Sequence, residues 1–111
     1  MSKQPTLGEL EQLLLLSILH LGDDAYAKSI RLHLHESVGR SVSLGSIYVS
    51  LTRLENKGWA RSWLADPTPV RGGRAKRYYE VTAAGREALQ RSKDALSSLW
   101  QGIELGAGGE S

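Results

Sequence analysis

Apolar positions along the chain follow a helical rhythm as far as Gly58 and a strand-like one after it. The stretch "TLGELEQLLLLSILHLG" places a candidate N-cap at Thr6 with Glu9 three residues on, the spacing of a capping box. From Leu13 onward it is apolar over most of its circumference, which predicts a buried first helix ending at Gly22. Asp23 and Asp24 then open a second helix, in which Tyr26, Ile30, Leu34 and Val38 recur every four residues until Gly39 stops it. Ser43, a favoured N-cap residue, begins a third helix with a core stripe of Ile47, Leu51 and Leu54, and Gly58 terminates it.

Beyond Gly58, Trp59, Ala60, Trp63 and Leu64 stand among polar residues, and Asp66-Pro67 with Pro69 marks a turn. On the far side of that turn "RYYEVT" is rich in β-formers. The pattern predicts two strands joined by a long hairpin loop bent at Gly72 and Gly73. Trp59 and Trp63 are expected to pack under this hairpin, with one of Tyr78 and Tyr79 pointing inward and the other outward. Thr82 caps a last helix in which Leu89, Leu96 and Ile103 are spaced by seven, with Leu99 between them and Trp100 widening the seam. The expected fold is mainly α with a small two-stranded β wing, a winged helix-turn-helix over residues 6–82. A C-terminal dimerisation helix follows over 83–105, and 106–111 form a disordered tail.

Charge sharpens this picture. The net +2 divides into −1 over residues 1–40, +4 over 41–81 and −1 over 82–111. The positive excess peaks in "VRGGRAKR", at the bend of the hairpin, and such a local basic zone is the footprint expected of a phosphate-binding surface. At 111 residues the chain has room for one ordinary domain. It has no cysteine, which removes disulfides and thiolate metal sites and suits a reducing, cytoplasmic setting. The leucine-rich run from Leu13 to Leu21 is too short to span a bilayer and lacks the marks of a signal peptide, so no membrane role is expected.

Catalytic chemistry finds no footing. His20, His33 and His35 are the only histidines, and the last two are two apart on a helix, where side chains diverge. No acid pair, serine–histidine arrangement or phosphate-cradling loop is present, and Asp23 and Asp24 suit a helix start on electrostatic grounds alone. Neither an enzyme nor a metal or other cofactor is expected.

The third helix reads Gly45, Ile47, Tyr48, Leu51, Arg53, Leu54, Glu55 and Gly58, matching with every spacing kept the pattern G-x-[LI]-Y-x-x-L-x-R-L-E-x-x-G. Together with the wing "RGGRAKRYYEVTAAGREAL", in register and at the right separation, it resembles the PadR transcriptional regulators over nearly the whole chain, Leu7 to about Leu105. The resemblance implies a compact PadR protein with a single dimerisation helix, acting as a repressor on double-stranded DNA.

On that reading Ser46, Val49, Thr52 and Arg53 face a major groove, opposite Ile47, Leu51 and Leu54, with Ser43 and Tyr48 near the helix start and flank. Each keeps a plainer alternative: Ser43 as a cap only, Arg53 in a structural ion pair, Tyr48 in the core. Arg71, Arg74, Lys76 and Arg77 then lie along the backbone or in the narrow minor groove and supply salt-dependent affinity. The seam of Leu89, Leu96, Leu99, Trp100 and Ile103 has too little of its own domain to cover it, so pairing with a second copy is expected. A homodimer sets two recognition helices roughly 34 Å apart and implies a palindromic operator. The family resemblance adds a small hydrophobic effector lodged near Trp100 between subunits, against the plainer reading of Trp100 as a seam residue. From another class stands a winged helix that binds only protein, and cations massed beside the third helix count against it.

Overall fold

A computed structural model describes residues 7–65 and 75–106. Thr6, the turn at Asp66 to Pro69, the bend at Gly72 and Gly73, Arg71, Arg74 and residues 107–111 lie outside them. Four α-helices and two strands follow in the order α1 (Glu9–Leu21), α2 (Ala27–Val38), α3 (Leu44–Asn56), β1 (Ala60–Leu64), β2 (Arg77–Val81) and α4 (Ala83–Trp100). The strands pair antiparallel, with Ala60 opposite Val81 and Ser62 opposite Tyr79.

The core is where the helical stripes converge. Leu14, Leu15 and Ile18 of α1, Ile30 and Leu34 of α2, and Ile47, Leu51 and Leu54 of α3 are buried, closed below by Trp59, Tyr79 and Val81. Ser17, also buried, is satisfied by His33 Nδ1 at 3.0 Å.

Several boundaries differ from the sequence reading. The first cap is Gly8, whose amide donates to Glu11 Oε1 at 2.9 Å, so the reciprocal acid is Glu11 rather than Glu9. Asp23 and Asp24 belong to a 3-10 turn (Gly22–Asp24), and α2 begins only after Tyr26. The cause is long-range: Tyr26 keeps extended backbone and bridges antiparallel to Tyr78, while the Tyr79 amide donates to Ala25 O at 2.9 Å. Ser29 Oγ then accepts from the Tyr26 amide at 3.0 Å and serves the orphan donor of the helix start. Val38, the last position of the expected stripe, is exposed, because the inward face of α2 runs through Ala27, Ile30 and Leu34. The last helix stops at Trp100, and Ile103 lies in the turn beyond it.

Ser43 and Thr82 act as caps as expected, accepting from the amides of Ser46 at 3.1 Å and Gly85 at 3.0 Å. Gly85 has a second role. A Cβ there would stand 2.1 Å from the Trp59 carbonyl oxygen and 2.8 Å from Val81 Cγ1, so glycine is what allows α4 to lie on the start of β1. Thr82 ties the same corner, donating from Oγ1 to Gly58 O at 2.6 Å and from its amide to Trp59 O at 3.0 Å.

Candidate nucleic-acid interface

Helix α3 buries one side and bares the other. Because Ile47, Leu51 and Leu54 fix the rotation of the helix, Ser43, Ser46, Tyr48, Val49, Thr52 and Arg53 all stand exposed, while Ser50 turns inward. Val49 at 55% and Tyr48 at 47% exposure are large apolar or aromatic surfaces on a helix whose other face is fully buried, which removes the core reading of Tyr48. Arg53 makes no ion pair among the described residues. Its charge still reaches Glu11. Burial raises that carboxyl, but the Gly8 amide, the Lys57 ammonium at 2.9 Å and the Arg53 field together hold it below the ordinary carboxylate range.

The helix-turn-helix angle is held at the joint between α2 and α3. Gly39 sits in left-handed backbone at φ 67° and its amide donates to His35 O, while Arg31 Nε donates to Val42 O at 3.1 Å. Arg40 reaches back to Glu9 of α1 at 2.7 Å.

The wing is fastened to α3 on its inner side. Ser62 Oγ donates to Glu55 Oε2 at 2.7 Å and accepts from Arg77 Nη1 at 2.9 Å, which carries a polar chain from α3 across both strands. Arg77 is therefore engaged within the protein as well as exposed. Tyr79, the inward tyrosine, has its phenol pushed up by burial and then by the Glu55 carboxylate. On the outer side Trp63 stacks on Tyr78 at 6.4 Å, with Arg61 over the Trp63 ring and ion-paired to Glu80. Trp59 packs beneath the wing as expected. Trp63 does not, because the register that turns Tyr79 and Ser62 inward turns Trp63 and Tyr78 outward.

Lys76 is exposed at the base of the wing, its ammonium 4.3 Å from the centre of the Tyr26 ring. Tyr26, read from the sequence only as a stripe residue of the second helix, and Lys28, not singled out there, share a groove with Tyr48, Lys76 and Arg77. On the opposite flank Leu96, Leu99, Trp100 and Ile103 are at least half exposed. Leu89 is partly buried against the core, and with Leu16, Leu19, Leu96 and Trp100 it lines an apolar groove of about 620 Å³ between α1 and α4. No helix among the described residues is long and apolar enough to cross a membrane.

A tri-helical core whose third helix bares its outer face beside a two-stranded wing is a winged helix-turn-helix, the fold of a class of DNA-binding regulators. Comparison with known proteins is specific about which. A profile described as "Transcriptional regulator PadR-like family" matches residues 15–91, and the chain belongs to that family of transcription regulators, which are not enzymes. The chain is similar to transcriptional regulator Rv3488 of Mycobacterium tuberculosis (strain ATCC 25618 / H37Rv), 43% identical over 61 residues covering 55% of this chain and 53% of that one. The match thus spans about half the length of that relative. Among solved structures it resembles a PadR-like transcription factor from Bacteroides fragilis at 28% identity and TM-score 0.67, covering 81% of this chain and 82% of that one. It resembles equally a PadR family regulator from hypervirulent Clostridium difficile R20291 at 26% identity and TM-score 0.66, covering 80% and 88%.

Proposed function

We propose that the protein is a repressor that binds a palindromic operator as a homodimer and is released by a small hydrophobic effector. The observation that carries this reading is the outer face of α3: Ser46, Val49, Thr52 and Arg53 are exposed together, Arg53 makes no ion pair among the described residues, and Tyr48 on their flank shares a groove with the cationic base of the wing. A helix face of this kind fits a major groove, with Ser43, Ser46 and Tyr48 at the phosphates and Val49, Thr52 and Arg53 toward base edges. Arg71, Arg74 and Lys76 then add backbone or minor-groove contacts, and Arg77 divides its donors between Ser62 and the duplex.

Pairing through α4 accounts for the second exposed surface. A second copy would cover Leu96, Leu99, Trp100 and Ile103, each at least half exposed in one copy, and the open side of the partly buried Leu89, together with Leu16 and Leu19 of α1. The effector takes its place in the groove between α1 and α4, where Trp100 supplies a flat apolar wall and Lys93 and Arg86 a polar edge. The test is footprinting on the promoter of the protein's own gene. Two protected half-sites centred about one helical turn apart support the reading. A single protected half-site, or uniform weak protection, contradicts the dimeric operator.

A further inference from the structure

A groove of about 440 Å³ opens between the first turn of α2, the flank of α3 and the base of the wing, lined by Tyr26, Lys28, Tyr48, Ala75, Lys76 and Arg77 together with Ala27. Three of these side chains are cationic, two are phenols and none is acidic. Among the described residues the ion pairs are Arg40–Glu9, Lys57–Glu11 and Arg61–Glu80, so neither Lys28 nor Lys76 has a carboxylate within pairing distance. Cations gathered without a counter-charge create a local positive potential that an anion relieves. The walls are also set in advance. The Tyr26–Tyr78 bridge, the edge-on contact of their rings at 5.7 Å and the Tyr79 amide on Ala25 O fix the wing base against α2, and Lys76 is held over Tyr26.

We infer that this groove seats one phosphodiester of the duplex and that Lys28, on the helix preceding the recognition helix, supplies one of its charges. The inference rests on the DNA reading above and adds to it a contact that neither α3 nor the wing provides. A phosphodiester spreads its charge over nonbridging oxygens, which suits ammonium groups on two walls and the Tyr48 hydroxyl on a third. The seat lies where the strand would pass from the groove occupied by α3 toward the groove reached by the wing.

The experiment compares wild type, Lys28→Gln and Lys28→Arg by fluorescence anisotropy on a promoter duplex and on a scrambled duplex of equal length, across a salt series. Lys28→Gln is expected to flatten the salt slope by about one for each chain bound, which shrinks the affinity loss between about 50 and 200 mM salt by about 3.5-fold per chain. The change should be the same on both duplexes, because a phosphate contact carries no sequence information. Lys28→Arg should keep the wild-type slope. If Lys28→Gln retains that slope while wild type binds normally, the seat is overturned and the reading of α3 and the wing stands. Should both variants lose affinity along with melting temperature, Lys28 is structural and the seat is again overturned. A wild-type protein with no salt-dependent binding overturns the DNA reading and the seat together.

Discussion

Replacing Gly85 by alanine tests the corner on which α4 leaves the wing. An ordinary carbon–oxygen contact needs about 3.3 Å. The added Cβ would start 2.1 Å from the Trp59 carbonyl oxygen, so α4 must withdraw by over an ångström from backbone that is itself buried. That movement strains the bond from the Thr82 amide to the same oxygen, 3.0 Å long, worth about 1 kcal/mol net. Overpacking adds about 2 kcal/mol, and the gain in helix propensity from glycine to alanine returns about 1 kcal/mol. The net loss is about 2 kcal/mol, or a melting temperature lowered by about 8–16 °C for a domain of this size. Gly45→Ala is the control, since its Cβ meets nothing within 4 Å and should stabilise α3 by a few tenths to about 1 kcal/mol. Both are read by circular dichroism melts at one fixed protein concentration, because the proposed self-association would make the midpoint concentration-dependent. A Gly85→Ala protein that melts at or above wild type would refute the close-approach account.

Glu11→Gln should lower stability at neutral pH by about 1 kcal/mol and flatten the acid side of the stability profile. The folded carboxyl titrates below its ordinary value, so its contribution is full above the unfolded value near about 4.3 and is lost as pH falls through the folded value. Urea denaturation at neutral pH and through the acid range checks this, and parallel profiles for the two proteins would count against it. Leu99→Glu, at a position 75% exposed in a single copy, should move the particle in size analysis at low micromolar concentration from twice 12.1 kDa to 12.1 kDa without unfolding it. An unchanged dimer would place the interface elsewhere.

What the sequence made legible was whatever local pattern encodes. Ser43 and Thr82 are recognisable as caps because a hydroxyl followed by a helical stripe satisfies an orphan amide. Ile47, Leu51 and Leu54 orient α3 by spacing alone, and the outward face of Ser46, Val49, Thr52 and Arg53 follows from them. Features decided by contacts distant in the chain were not legible. The start of α2 is delayed because Tyr26 is drawn into a bridge with Tyr78. Trp63 faces outward because its strand pairs with β2 in one register, which no window of β1 reveals. Lys28 reads as an ordinary solvated helix residue until the fold brings the wing base across from it. Gly85 was visible as part of a signature, but its physical reason, the Trp59 carbonyl, belongs to another element.

The most direct test of the central claim is duplex binding by an Arg74→Glu, Lys76→Glu double variant, with wild type alongside and its melting temperature and particle mass checked. If the wing and α3 hold DNA together, the variant keeps its fold and assembly but loses binding to the promoter duplex and the steep salt dependence that accompanies it. Promoter binding equal to wild type, with the same salt slope, would contradict the account.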